Sequence, residues 1–143
     1  MSQENVEIVR GLQPTGVDLA LLIRDDHMAA AMMESAAAVV HPDFETVFFM
    51  PVERSVHIGF DGFRAAWIDW LTPWESYRTE IEELIDLGDR VAVLTRDFGH
   101  REGVESEVDF KGVAVYTFRD RKIGLIDFHF DRAEGLEAVG LWE

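Results

Sequence analysis

The sequence predicts an α+β domain, with helices first and a curled antiparallel sheet after them. Three observations carry this. Apolar residues recur at three- and four-residue steps through the first third of the chain, and from residue 75 onward the pattern changes to β-branched and aromatic runs separated by turn residues. A chain of 143 residues, 48% hydrophobic and without a linker or repeat, has material for one core and no more, so a single domain over residues 1–143 is expected.

The first helix starts at Ser2, a suitable cap, with Glu4 and Glu7 near its positive end and Val6, Val9 and Leu12 in one stripe. Pro14 disfavours helix at Gln13 and stops it. Asp18 opens a short second helix through Leu19, Leu22 and Ile23, and Asp25 or Asp26 caps a third that runs to about Ala37. His41-Pro42-Asp43 then breaks the pattern, and Phe44 to Phe49 suits a strand. Gly59 to Gly62 reopens a helix with Asp61 as its cap; Phe63, Trp67, Trp70, Leu71 and Trp74 fall at helical intervals on one broad face, and Pro73 marks its end.

Four strands are expected next, at Glu75–Leu87, Val91–Arg101, Glu107–Arg119 and Lys122–Phe130, with turns at Gly88-Asp89 and Asp120-Arg121. The first is ambiguous, because Tyr77, Ile81, Leu84 and Ile85 also fit a helical stripe. Arg132 to Val139 reads as a terminal helix stopped by Gly140. Val91, Val93 and Thr95 alternate with Ala92 and Leu94, so both faces of the sheet are apolar and need covers. The helices supply one, and a second copy of the chain, forming a homodimer through the sheet, is the expected other.

Composition narrows the partners. Thirteen basic against 28 acidic residues give a net charge of −15, which repels nucleic acid and anionic membrane surfaces. The longest mostly apolar stretch, Met28 to Val40, holds Glu34 and Ser35 and is too short for a membrane span. With no cysteine and a polar Met1-Ser2-Gln3-Glu4-Asn5 start, a soluble protein of the reducing cytoplasm is expected. The five histidines lie far apart, so no metal is expected, and no phosphate loop or dinucleotide fingerprint points to a cofactor.

Four stretches in order and spacing resemble one family. They are Ser2 to Arg10, Ile85 to Val91, Val115 to Asp120 followed by Lys122-Ile123, and Asp131 to Leu141. The chain resembles the SnoaL-like domain, of the SnoaL-like polyketide cyclase kind, within the nuclear transport factor 2-like superfamily. That resemblance implies a half-open cone, also called a cystatin-like roll, usually dimeric, with an apolar cavity between helices and sheet. It also implies that Glu75–Leu87 is a strand.

The resemblance further implies a carboxylate on the last long strand, where Ile126-Asp127-Phe128-His129-Phe130-Asp131 puts Asp127 at the family's catalytic position. Strict alternation sets Ile123, Leu125, Asp127 and His129 on one face, so His129 could share the proton of Asp127. The other reading of Asp127 is a carboxylate held by a salt bridge or neighbouring backbone. The polar groups that hold water in related epoxide hydrolases are replaced here by Val47-Phe48-Phe49 before Met50-Pro51, and Arg96-Asp97-Phe98 sets its acid on the face opposite the arginine. Phe49, Phe63, Trp67, Trp70 and Tyr116 are the expected wall of a pocket for a small hydrophobic or cyclic ligand. Two functions stay open: a cyclase- or isomerase-type enzyme using a cavity carboxylate, and a non-catalytic dimeric ligand-binding or scaffolding module.

Overall fold

The structure, a computed structural model, describes residues 2–50 and 53–141; Pro51 of the Met50-Pro51 pair lies outside the described residues. The elements are α1 (Ser2–Leu12), α2 (Leu19–Arg24), α3 (Asp26–Ala36), β1 (Val40–Phe49), β2 (Arg54–Ile58) and α4 (Gly59–Leu71). They continue with β3 (Ser76–Asp86), β4 (Arg90–His100), β5 (Val108–Arg119), β6 (Lys122–His129) and α5 (Arg132–Ala138).

Local chemistry accounts for most boundaries. Asp18 accepts a hydrogen bond from Ala20 N at 3.0 Å and caps α2, and Asp25 rather than Asp26 caps α3 through Met28 N at 2.9 Å. α4 begins differently from expectation. Gly59, at φ 67°, turns the chain out of β2, no side chain caps the helix, and Asp61 sits in the first turn where its charge faces the positive end of the helix. Asp120 and Arg121, both at positive φ (53° and 68°), form the two-residue turn that matches the twist of β5 and β6.

The six strands form one curled sheet in the order β2-β1-β6-β5-β4-β3. The sheet is mixed rather than wholly antiparallel, because β1 runs parallel to β6 while the other neighbours are antiparallel. A parallel pair needs a long crossover, and the chain between β1 and β6 is long enough to return in either sense. β2 was not anticipated: Arg54-Ser-Val-His-Ile58 is a short edge strand whose apolar members, Val56 and Ile58, are exposed.

The two faces have separate covers. On the concave face Val91, Val93, Ala114, Tyr116, Ile126 and Phe44 pack beneath α1, α4 and the Val6–Leu12 stripe. On the convex face Ala92, Leu94, Val113 and Val115 pack against Leu136 of α5, with Val139 alongside. The chain's own last helix therefore covers part of the face for which a second copy was expected. Ala92 is 0% and Val115 1% exposed without any partner.

A bulge decides which β6 side chains reach which face. The pairing shifts between Thr117 and Phe118, so Thr117 faces Leu125 while Phe118 faces Ile123, and Gly124 is the extra residue. Ile123 consequently joins the concave core with Ile126, apart from Leu125 and Asp127.

Candidate functional site

Between α1, α2 and α4 and the concave face lies a cavity of about 110 Å³. Ile23 comes from α2, Trp67 and Leu71 from α4, and Phe128 and Phe130 from the end of β6 and the residue beyond it. The helices are fixed over the sheet by polar ties that cost no apolar wall. Asp18 accepts from Tyr77 N at 3.0 Å as well as capping α2, and Arg64 of α4 donates from Nε to Ile23 O at 3.0 Å and from Nη2 to Asp26 at 2.8 Å.

One acid lies in this wall. Asp97 of β4 is 6% exposed and accepts a hydrogen bond at each oxygen: Tyr77 donates to Oδ2 at 2.6 Å and Thr79 to Oδ1 at 2.6 Å. Both donors stand on β3, opposite Asp97 across the β3–β4 ladder, where Thr79 is its direct partner. Burial raises the pKa of Asp97. The hydroxyls of Thr79, Tyr77 and Thr95 pull it back, and so does the charge of Arg132 on the far side of the sheet. Tyr77 is raised too, by burial first and then by the negative charge of Asp97. The cluster can hold a proton at a pH where a solvated aspartate would have lost it.

Arg132 reaches Asp97 only through the sheet. It donates to Gly112 O at 3.1 Å, Thr95 O at 2.7 Å and Glu82 at 2.7 Å, clamping the β3–β4–β5 ladder directly behind the acid.

Asp127 lies elsewhere. It neighbours Phe128 on β6 and points to the opposite face, aligned with Val47 of β1 and Val115 of β5, and it is not among the residues that line the cavity. The expectation that this carboxylate looks into the cavity is corrected to Asp97. Burial still raises Asp127 to about 6, with Arg54 and Arg90 opposing and Glu45 adding to the rise. His129 shares that convex face. Its ring stacks on Phe49 at 4.2 Å, Gly135 of α5 presses against its Cβ, and burial lowers its pKa. His129 is also among the residues that border the cavity, and its carbonyl oxygen lies beside Gly112.

The five expected wall aromatics divide accordingly. Phe63, Trp67 and Tyr116 line the cavity. Phe49 is on the convex face with His129, and Trp70 stands behind the wall, stacked on Phe130 at 4.1 Å. The sequence places Asp97 only in Arg96-Asp97-Phe98 and not among the cavity residues, although a signal for it existed. The alternation that sets Val91, Val93 and Thr95 on one face reaches Asp97 at the next step, two residues past Thr95.

The indole Nε1 of Trp67 is buried and has no hydrogen-bond partner among the described residues, as is also true of Trp70 and Trp74. Among the described residues no cluster of His, Asp or Glu has the composition of a metal site, and no helix is long and apolar enough to cross a membrane.

The SnoaL-like domain family matches residues 24–125 of the chain. Among solved structures, a provisionally assigned SnoaL-like polyketide cyclase from Jannaschia sp. CCS1 superposes with a TM-score of 0.68 at 20% identity, covering 96% of this chain and 89% of that one. TerC, co-crystallised with polyporic acid, gives 0.59 at 22% identity over 78% and 88% of the two chains. A protein with a ketosteroid isomerase-like fold from Catenulispora acidiphila DSM 44928, in complex with trimethylamine, gives 0.58 at 15% identity over 85% and 88%. At these identities the likeness is one of fold. No curated protein matches the sequence.

Proposed function

Because the chain belongs to the SnoaL-like domain family, whose match spans residues 24–125, we propose that it binds a small apolar or cyclic molecule in the cavity beside Asp97, and that Asp97 acts there as general acid or base. The observation that carries the reading is a single buried carboxyl group in a mainly apolar wall, braced by the hydroxyls of Tyr77 and Thr79. Desolvation makes its proton exchange responsive to a bound polar group, and the braces hold its orientation with no lysine or arginine among the described residues of the wall. The polyporic acid found with TerC is a cyclic ligand in the same fold, which supports the ligand class without naming the molecule.

A second reading has its own support. Both oxygens of Asp97 are already occupied, as they would be in a purely structural cluster, so a non-catalytic binding module is the alternative. On either reading the exposed Val56 and Ile58 of the edge strand β2, beside the convex face, are the surface we assign to a homodimer, and the lack of cysteine supports a cytoplasmic setting.

A thermal-shift panel of steroid, terpene and polyketide compounds tests the reading on the wild type and on Asp97→Asn. A ligand at a hundredfold excess over its Kd stabilises by about 2.7 kcal/mol, an easily read shift. Turnover of a stabilising compound that disappears in Asp97→Asn supports catalysis. Binding with no turnover in either protein supports the module, and no stabilisation by any compound contradicts the ligand-binding function itself.

A further inference from the structure

Behind Tyr116 lies a second hollow of about 110 Å³, bounded by α1, α3, β1 and the start of α4. It shares Leu12, Met32, Phe63 and Tyr116 with the first cavity, so the two hollows are back to back. Gly11, Met33, Ala36, Phe44 and Phe60 line only the second, and no charged side chain among the described residues borders it.

The partition carries a polar group with an unused half. The hydroxyl oxygen of Tyr116 accepts from Gln13 Nε2 at 3.2 Å, and the same amide donates to Val9 O at 2.9 Å. The hydroxyl proton of Tyr116 has no acceptor among the described residues, although the side chain is only 7% exposed. A buried donor left without a partner is uncommon in folded proteins, and a bound acceptor is the simplest way to satisfy it. Each hollow is on the scale of the cavity of about 150 Å³ that holds one benzene ring.

We infer that the ligand is a neutral molecule with two apolar parts, one for each hollow, joined at a centre whose oxygen accepts the hydroxyl proton of Tyr116. This rests on the reading of the first cavity as a ligand site and adds the shape and polarity of what fills it. The uncharged second hollow disfavours a ligand carrying a charge at that end. The length across two hollows disfavours a single small ring, which would leave one of them empty.

Three commercial probes separate the requirements. Benzophenone has two rings joined by a ketone, acetophenone has one ring on the same ketone, and diphenylmethane has two rings and no oxygen. Binding is titrated by calorimetry to the wild type, Gly11→Leu, Ala36→Leu and Tyr116→Phe. A Cβ at Gly11 meets no atom within 4 Å, and leucine favours helix where Gly11 sits, so that variant folds.

The inference predicts that benzophenone binds at least tenfold more tightly than acetophenone. Gly11→Leu and Ala36→Leu remove that advantage and leave acetophenone bound as before. Tyr116→Phe weakens benzophenone by about tenfold, the worth of one buried hydrogen bond, and leaves diphenylmethane unchanged. Irradiated benzophenone joins its ketone carbon to a neighbouring C–H carbon while the hydrogen passes to the ketone oxygen, and the label falls on Met32, which with Tyr116 borders both hollows. Equal affinity for the two ketones, or labelling confined to the first cavity, overturns the two-hollow ligand while the first site stands. If neither ketone binds the wild type, the ligand-site reading falls with it.

Discussion

Asp97 and Asp127 sit on opposite faces of the same sheet, Asp97 bracketed by Tyr77 and Thr79 in the cavity wall and Asp127 beside Val47 and Val115 on the convex side. Burial raises both acids, yet only one of them can meet a molecule in the cavity. The surroundings of each acid make separate, measurable predictions.

The braces of Asp97 are the first. Thr79→Val keeps the shape of the side chain and removes the hydroxyl from Oδ1, so the buried carboxyl loses one of its hydroxyl donors. A loss of about 1–3 kcal/mol in urea unfolding is expected at neutral pH. The carboxyl pKa also moves further up, since that hydroxyl was holding it down. An unchanged midpoint and carboxyl titration would show that Thr79 does not brace the acid.

Asp127 sets a pH dependence. Its pKa is about 6 in the folded chain against an ordinary 3.8, so the folded state holds this proton more tightly than the unfolded state does. Its contribution to stability is fully present below pH 3.8 and is lost as pH rises through about 6. Asp97 has the same sign and Glu82, lowered by its hydrogen bond from Arg132, the opposite one, so the comparison must be between wild type and Asp127→Asn. The variant gains stability relative to wild type between those two pH values in a denaturant series; identical profiles would contradict the assignment.

Gly99 is required by a close approach. A Cβ there would lie 2.5 Å from the ring of Trp74, which lies across β4 at this point. Gly99→Ala must displace the indole and costs about 1–3 kcal/mol by overpacking, with a shift in tryptophan emission. A variant as stable as the wild type would show that the indole has room to move.

Asp18 works twice with one oxygen, capping α2 and holding Tyr77 N. Asp18→Ala loses the cap, worth about 1 kcal/mol, and also loosens the helix that forms one side of the cavity from the strand that carries Tyr77. Faster amide exchange at Ala20 and Tyr77 together is the expected signature, and a change at Ala20 alone would separate the two roles.

Much of this architecture was legible because it rests on local rules. Asp18 and Asp25 announce helices by their side-chain oxygens, and Asp120-Arg121 marks a hairpin by residue type and spacing. β2 was not legible, because an edge strand with exposed Val56 and Ile58 has no buried face to write an alternating pattern. The parallel β1–β6 pair was hidden because strand direction across a long connection leaves no local mark.

The site was half legible for a related reason. Phe63, Trp67 and Tyr116 follow from the period of their own elements, whereas facing depends on register, and one bulged residue at Gly124 moves Ile123 away from the face of Asp127. Counting alternation from Ile123 therefore gave Asp127 the wrong company. Counting onward from Val91 on the unbroken strand β4 arrives at Asp97.

The most direct test is carbon-13 NMR of aspartate carboxyls during a titration with benzophenone, with Asp97→Asn and Asp127→Asn supplying the assignments. The account predicts that the Asp97 resonance and its pKa move as the cavity fills while Asp127 stays where it was. Movement of Asp127 with Asp97 unmoved would place the ligand on the other side of the sheet and contradict the account.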